Sequence, residues 1–285
     1  MKVALLIGIN YTSIPESTLQ GCINDIKNMS NVLISQYGYD ASNITMLRDD
    51  DTTKMPTRAA MLSALNNIVI ASKSKSCTEA WIHYSGHGSQ VRDINGDEIT
   101  GGLDDVIVPV DYKTAGFIVD DLIFQYISQI QCPTMIIMDS CHSGTVCDLE
   151  WSFEYQNGSL FRRTQNNQKN IKNTNIAMFS GCKDSGTSAD IYDTDDKKSE
   201  GAFTDSFLRA LRNNKYKAPA WVVHRDICTW LKQGGFTQTP IFSTTTPNIL
   251  WNFTPYVPPI PIIGNGQSIL PSKIVVKQKM IMNFL

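Results

Sequence analysis

The protein has 285 residues, with 25 lysines and arginines against 27 aspartates and glutamates, so its formal net charge is −2. Apolar residues make up 42% and charged residues 18%, which is a globular composition and excludes a mainly disordered chain. The near-neutral charge gives no support for nucleic-acid binding, and no apolar run of about 18 residues predicts a membrane-spanning helix. We therefore expect neither a nucleic-acid partner nor a membrane partner.

The first apolar run, residues 3–9, is too short for the apolar region of a secretion signal. Asn10 and Tyr11 follow it in place of a small-residue cleavage site, so we interpret the run as a buried strand. The seven cysteines are an odd number and have no short repeated spacing, which favours reduced thiols over a disulfide framework. Both features predict a cytoplasmic protein.

Short apolar runs alternate along the chain with longer amphipathic stretches. The short runs predict six strands, at residues 3–9, 43–47, 79–84, 134–138, 176–179 and 240–243. The amphipathic stretches predict five helices, at residues 19–37, 56–71, 120–130, 202–212 and 220–233. This alternation predicts the α/β class, with a mostly parallel six-stranded sheet and helices on both faces.

The amino-acid composition of the chain changes after residue 151. Residues 152–174 are rich in Asn, Gln, Arg and Lys without a clear period, which predicts an exposed linker loop. A Pro-rich C-terminal tail covers residues 254–285. We expect residues 1–151 and 175–253 to form the two structured parts of a single domain.

Two predicted strands run directly into segments that carry a histidine and a cysteine. The strand ending at Tyr84 is followed by His87 between two glycines, and the strand ending at Met138 is followed by Cys141. Parallel sheets place their sites outside the carboxyl ends of the strands, so neighbouring strands would bring the imidazole to the thiol and activate it. The alternative is that Cys141 is a small buried apolar residue and His87 an ordinary surface turn residue.

Four segments in the same order as in a known family carry a resemblance. They are Leu19-Gln20-Gly21-Cys22-Ile23-Asn24-Asp25, Tyr84-Ser85-Gly86-His87-Gly88, Asp139-Ser140-Cys141-His142-Ser143-Gly144 and Phe179-Ser180-Gly181-Cys182-Lys183-Asp184. The sequence resembles the metacaspases, caspase-related cysteine peptidases, from about residue 3 to residue 244. His87 and Cys141 lie 54 residues apart, near the spacing of roughly 50 found in caspases.

The resemblance implies a caspase-like (caspase–hemoglobinase) sandwich fold. Residues 1–151 would be the large-subunit-like (p20) region and residues 175–253 the small-subunit-like (p10) region. The chain begins at its first predicted strand, so the resemblance implies a type I-like metacaspase without an N-terminal prodomain. It also implies a monomer that acts on protein or peptide substrates.

The resemblance further implies a role for individual residues. Cys141 matches the nucleophile and His87 the general acid/base, with backbone N–H groups at Gly88 and Cys141 stabilising the oxyanion. Family members cleave after Arg or Lys, and the matching substrate pocket consists of Cys22, Asp25, Ser85 and Asp139. Carboxylates there would pair with a basic side chain and repel an acidic one. Without the resemblance, Asp25 would be an ordinary helix residue and Asp139 a turn residue.

Many family members need calcium, and the resemblance implies that Ca²⁺ is a cofactor here. The matching positions are all aspartates: Asp104, Asp120, Asp121 and Asp148. Calcium prefers several carboxylate oxygens, although isolated aspartates of this kind could equally be solvated charges or residues at a helix start.

The expected function is a calcium-dependent cysteine endopeptidase that cleaves after Arg or Lys through a Cys–His dyad. Exposure and side-chain type make self-cleavage a further hypothesis, at one of four basic residues in the predicted loop: Arg162, Arg163, Lys169 and Lys172. The alternative is a non-proteolytic scaffold or chaperone-like protein with the same fold, which would have no reason to keep both His87 and Cys141.

Overall fold

A computed structural model of the protein describes residues 1–92, 103–140, 147–156, 160–165, 171–181, 190–193, 198–236, 238–248 and 251–258. The strands are β1 Lys2–Gly8, β2 Ile44–Arg48, β3 Glu79–Ser85, β4 Gly88–Arg92, β5 Leu103–Ile107, β6 Ile118–Val119, β7 Thr134–Asp139, β8 Trp151–Gln156, β9 Leu160–Gln165, β10 Ile176–Ser180, β11 Asp190–Asp193, β12 Lys198–Gly201, β13 Ala218–Pro219, β14 Ile241–Thr244 and β15 Asn252–Phe253. The α-helices are α1 Cys22–Tyr37, α2 Arg58–Ser72, α3 Tyr112–Ala115, α4 Asp120–Ile127, α5 Ala202–Asn213 and α6 Ala220–Gln233, and Pro15–Ser17 forms a short 3₁₀ helix.

A central sheet organises these elements, with strand order β2-β1-β3-β7-β10-β14-β8-β9. The pairings from β2 to β10 are parallel, whereas β14, β8 and β9 join in antiparallel fashion. This arrangement confirms the predicted α/β class and the mostly parallel sheet. All six predicted strands occur, and none of their ends is shifted by more than one residue.

The sheet has eight strands and not six, because a hairpin extends it at one edge. The prediction of an irregular loop over residues 152–174 is wrong for β8 and β9, which pair from Trp151 with Gln165 to Gln156 with Leu160. On β8, Phe153 and Ser152 are buried, and the Phe153 ring lies 6.1 Å from the Phe242 ring of β14. Few apolar residues are needed to attach an edge hairpin, so the polar composition concealed it.

Helices cover both faces of the sheet, as predicted. Strand residues alternate between the two faces, so Ile82 of β3 packs in the core beneath α2 and α4, whereas Trp81 packs in the core beneath α1, α5 and α6. Each face therefore buries one alternate set of side chains. The described helices include none that is long and apolar enough to cross a lipid bilayer.

The carboxyl ends of β1, β3 and β7 lie side by side at one edge of the sheet. Gly8 pairs with Ser85, and Ser85 pairs with Asp139. Helix α1 begins close to this edge, since a Cβ atom on Gly8 would lie 2.5 Å from the carbonyl oxygen of Cys22. Only glycine permits this approach, and it brings the start of α1 to the strand ends.

Candidate active site

The histidine predicted to be catalytic is presented at this edge. His87 lies two residues beyond the end of β3, and its side chain is half-buried. The ring nitrogen Nε2 lies 2.7 Å from the carbonyl oxygen of Ser17 in the 3₁₀ helix. A carbonyl oxygen can only accept a hydrogen bond, so Nε2 carries the proton. In the neutral imidazole the other nitrogen, Nδ1, is therefore the atom that can accept a proton.

The segment that carries the predicted nucleophile leaves the neighbouring strand at the same level. The register pairs Ser85 with Asp139, and the Gly86 N–H donates to the Asp139 carbonyl at 3.2 Å. His87 is the second residue after Ser85, and Cys141 is the second residue after Asp139. Strands β3 and β7 are therefore neighbours, as the prediction of a Cys–His pair requires. Cys141 itself lies outside the described residues.

Two predicted pocket residues lie in a buried polar cluster beside this edge. Asp25 of α1 accepts hydrogen bonds at Oδ2 from the Ser85 hydroxyl at 2.6 Å, and at Oδ1 from the Gly201 N–H at 3.0 Å. Asp25 and Ser85 are both almost completely inaccessible to solvent. Cys22, at the first position of α1, is also buried. Helix α1 and strand β3 thus bring three predicted residues to one side of the site.

Asp139, the fourth residue of the predicted pocket, lies on strand β7. Its Oδ2 atom accepts from the backbone N–H of Thr204 at 2.9 Å and from the Thr204 hydroxyl at 2.7 Å. A Cβ atom on Gly201 would lie 2.3 Å from Asp139 Oδ2 and 2.9 Å from Asp25 Oδ2. Two carboxylate oxygens that both lie this close to one point are separated by no more than about 5 Å, a distance at which they favour a cation between or beside them.

Gly201 and Thr204 are site residues that the sequence reasoning missed. They lie at the start of α5, with Gly201 at its N-cap. The contacts span 176 residues from Gly201 to Asp25 and 65 residues from Thr204 to Asp139. A glycine followed by an amphipathic helix is visible in the sequence, but nothing in the sequence indicates which side chains it meets.

The aspartates predicted to bind calcium come from three separate elements. Asp104 is on β5, Asp120 and Asp121 begin α4, and Asp148 precedes β8 in a left-handed conformation with φ 48°. Asp120 accepts backbone N–H groups of Asp105 and Asp121 at 3.0 and 2.8 Å. Burial, together with the nearby charges of Asp148 and Asp104, raises the pKa of Asp120 to about 7.

The chemistry of these four aspartates suits a calcium ion. All donors are carboxylates, which calcium prefers, and the pKa of Asp120 is raised by burial and by two other members of the set, Asp148 and Asp104. The described side chains do not, however, converge into a preformed shell, since no three Asp, Glu, His or Cys residues among them form a group that could hold a metal. The chemistry of the donors fits calcium, and their arrangement in this structure is open. Asp105, which is buried and accepts from Gln90 Nε2 at 3.0 Å, is a further carboxylate beside this set that the sequence reasoning did not single out.

The basic residues proposed for self-cleavage do not share one exposed loop. Arg162 and Arg163 lie in β9, where the backbone pairs with Phe153 and Glu154 of β8. The loop prediction is wrong for these two residues, because they belong to a paired strand. Such a strand must detach from its neighbour before it can enter an active site. Lys172 is exposed just before β10, and Lys169 lies outside the described residues.

Comparison with known proteins identifies the family of this site. A family profile described as the metacaspase, peptidase C14 domain, matches residues 2–150, which contain the whole edge from β1 to β7. The chain belongs to the metacaspase family. The relatives include metacaspase-1 of Kluyveromyces lactis, which is 35% identical over 74% of this chain and 58% of its own length.

Other metacaspases match over more of the chain. Metacaspase-1 of Cryptococcus neoformans is 33% identical over 88% of this chain and 64% of its own length, and metacaspase-1B of Neosartorya fischeri is 32% identical over 87% and 70%. The chain thus spans about three fifths to two thirds of the length of the first curated metacaspases that it matches.

Solved structures agree with a caspase-like fold for this metacaspase. Protein GSU0716 from Geobacter sulfurreducens superimposes with a TM-score of 0.61 at 25% identity, over 87% of this chain and 94% of that one. Caspase-1 from Spodoptera frugiperda superimposes with a TM-score of 0.55 at 11% identity, over 86% of each chain. At that identity the caspase supports the fold alone, and it confirms the predicted caspase-like sandwich.

Proposed function

We propose that this chain is a cysteine endopeptidase in which His87 and Cys141 form the catalytic dyad. The observation that carries the proposal is the register of β3 and β7, which pairs Ser85 with Asp139 two residues before each of these groups. The position of the proton on the His87 ring agrees with a role as the base for Cys141. Its Nε2 is held by the Ser17 carbonyl, so Nδ1 is the nitrogen that is available for the thiol.

The reaction follows from the positions of the protons. His87 Nδ1 accepts the proton of the Cys141 thiol, and the thiolate attacks the carbonyl carbon of the scissile peptide bond. The resulting imidazolium then donates its Nδ1 proton to the departing amine. The Ser17 carbonyl stabilises the charged ring from the opposite side, because it accepts from Nε2–H in both states. Backbone N–H groups at Gly88 and Cys141 are proposed to stabilise the oxyanion.

The substrate class is proposed from the charge of the pocket. Asp25 and Asp139 are buried, and their carboxylates approach the same point beside Gly201. An arginine or lysine side chain entering beside them would pair with both charges, and a guanidinium can pair with two acceptors at once. An aspartate in the same place would add a third negative charge and would be repelled. We therefore propose cleavage after Arg or Lys.

Calcium dependence is part of the proposal. Asp104, Asp120, Asp121 and Asp148 would hold the ion, which when bound would neutralise the crowded carboxylates and draw them together. The support is the raised pKa of Asp120 and the purely carboxylate donor set. In the absence of calcium, protonation of a carboxylate such as Asp120 would lower the charge of this set.

The test is hydrolysis of fluorogenic peptides that end in Arg, Lys or Asp, each measured with and without calcium. We expect cleavage of the Arg and Lys peptides only, dependence on calcium, and loss of activity in Cys141→Ala and His87→Ala. Equal activity in the Cys141→Ala variant would exclude the cysteine mechanism, and preference for the Asp peptide would exclude the pocket assignment. Full activity in a chelator would exclude the calcium requirement.

A further inference from the structure

Two buried tyrosine hydroxyls lie directly against the backbone of His87. Tyr11 follows β1, Tyr84 is on β3, and both side chains are almost completely inaccessible to solvent. Their hydroxyl oxygens are 3.2 Å apart. Neither residue belongs to the proposed dyad or to the substrate pocket, so their burial beside the dyad needs its own explanation.

The two hydroxyls hold both polar groups of the His87 backbone. Tyr84 Oη donates to the His87 carbonyl at 2.6 Å, and Tyr11 Oη accepts from the His87 N–H at 3.1 Å. Tyr11 Oη also donates to the Val108 carbonyl at 2.6 Å. Each phenol has a single proton, so both protons are committed to carbonyl oxygens. The His87 carbonyl also accepts from the Val108 N–H at 3.2 Å, so the tyrosine hydroxyls supplement backbone pairing at this peptide segment.

Tyr11 additionally restrains the imidazole itself. The centroid of its ring lies 4.7 Å from that of His87, at an interplanar angle of 39°. The Ser17 carbonyl holds Nε2, so contacts fix both the face and one edge of the ring. With the main chain held on both sides as well, His87 has little freedom to rotate Nδ1 away from the dyad.

The backbone around the two tyrosines has two unusual local features. Tyr11 has φ 53°, in the left-handed region that non-glycine residues rarely adopt. A Cβ atom on Gly86 would lie 2.8 Å from Tyr84 Oη and 3.1 Å from Tyr11 Oη, so the backbone passes too close for any side chain there. Burial raises the pKa of Tyr11 well above its ordinary value, and Tyr84 raises it further, so the hydroxyl keeps its proton at physiological pH.

We propose that the hydroxyls of Tyr11 and Tyr84 are positioning groups that hold His87 in the orientation required for proton exchange with Cys141. The inference rests on the dyad of the proposed function and adds to it two residues that lie outside that dyad and outside the predicted substrate pocket. Their effect is transmitted through the His87 main chain and, for Tyr11, through the ring face.

The test compares three Tyr→Phe variants that each remove one buried hydroxyl. Tyr11→Phe and Tyr84→Phe remove the positioning groups. Tyr39→Phe is the matched control: its hydroxyl donates to Glu79 Oε1 at 2.8 Å. Glu79 begins β3, so this bond lies about 20 Å from the site, at the other end of a seven-residue strand. Thermal unfolding of all three variants shows whether each remains folded.

In the peptide assay we expect kcat to fall about 10- to 100-fold in Tyr11→Phe and in Tyr84→Phe, with KM changed by less than about 2-fold. The Tyr39→Phe variant should keep the wild-type kcat. The double variant Tyr11→Phe/Tyr84→Phe should lose less than the product of the single losses, because the two hydroxyls act on one peptide segment. An equal loss of kcat in Tyr39→Phe, or no loss in the other two, would overturn the proposal.

A second readout does not need peptidase activity. In protein with ¹⁵N-labelled histidine, the ring nitrogens of His87 should report Nε2–H as the single neutral tautomer in the wild type and a mixture in Tyr11→Phe. An unchanged tautomer in Tyr11→Phe would overturn the positioning role even if the wild type cleaved no peptide. Absence of cleavage with a changed tautomer would instead contradict the proposed function and leave the positioning role supported.

Discussion

Replacement of Gly201 with alanine tests whether Asp25 and Asp139 act together on a basic substrate side chain. The added methyl group would enter the space between the two carboxylates without changing any charge. The backbone tolerates the replacement, since Gly201 has φ −68° and ψ 131°, values that alanine adopts readily. The Gly201 N–H that donates to Asp25 Oδ1 is retained. Any effect is therefore due to displacement of the carboxylates.

The size of the displacement follows from the distances. The new Cβ atom would lie 2.3 Å from Asp139 Oδ2, so this oxygen must retreat by about 0.7 Å to reach even the closest contact that packed atoms tolerate. Thr204 holds the same oxygen through two hydrogen bonds, and the retreat must strain them. A misplacement near 1 Å can lower a rate about 100-fold. We expect kcat/KM for Arg and Lys peptides to fall about 10- to 100-fold, or about 1.4–2.7 kcal/mol.

The assay is the kinetics of Arg, Lys and Asp peptides in calcium, with Gly234→Ala as the matched control. Gly234 also has an ordinary φ, −74°, and its added Cβ would lie 2.7 Å from the ring of Phe236 and 3.5 Å from the Trp230 carbonyl oxygen. The control should keep the wild-type kcat/KM. A folded Gly201→Ala enzyme with unchanged kcat/KM for both basic peptides would refute the assignment of Asp25 and Asp139 as a joint pocket.

Three further predictions concern the calcium set, pH and self-cleavage. Saturating calcium is expected to raise the Tm of the wild type by about 5 °C and to leave that of Asp120→Asn unchanged, as measured by scanning fluorimetry; an equal shift in both would contradict the site. Burial lowers the pKa of His83 from 6.5 to about 3, so the buried ring is neutral in the folded protein. The contribution of His83 to stability is therefore fully present above about pH 6.5 and is lost as the pH falls from there towards 3. Between pH 7 and pH 5 the free energy of unfolding in urea should therefore decline by about 2 kcal/mol more in the wild type than in His83→Gln, and parallel declines would disprove the assignment. Intact-mass spectrometry with calcium should show a cut in the wild type but not in Cys141→Ala, with Lys172 the expected site among the four basic residues because it is exposed outside a strand; an intact wild type would contradict self-cleavage.

Much of the fold is predictable because the sheet is buried on both faces. Strands β1 and β7 contain continuous apolar runs, and helices such as α1 and α5 have apolar residues at helical spacing. The hairpin of β8 and β9 escaped because it lies at the sheet edge and its sequence is mostly polar. The dipeptide Asn157-Gly158 between the two strands is a turn signal that would have indicated it.

The candidate site likewise has features that the sequence predicts and features that only the folded structure shows. His87, Cys141, Asp25 and Asp139 stand in short local motifs. The sequence therefore predicted the residue types that we propose to carry the chemistry, and it placed His87, Cys141 and Asp139 at the ends of strands. Only the tertiary structure decided which groups meet: the strand order places β7 beside β3, and helix α5 brings Gly201 between two carboxylates. The physical reason is the distance along the chain between the residues that meet. Propensity and periodicity act over a few residues, whereas these contacts join positions up to 176 residues apart and depend on how completed elements pack.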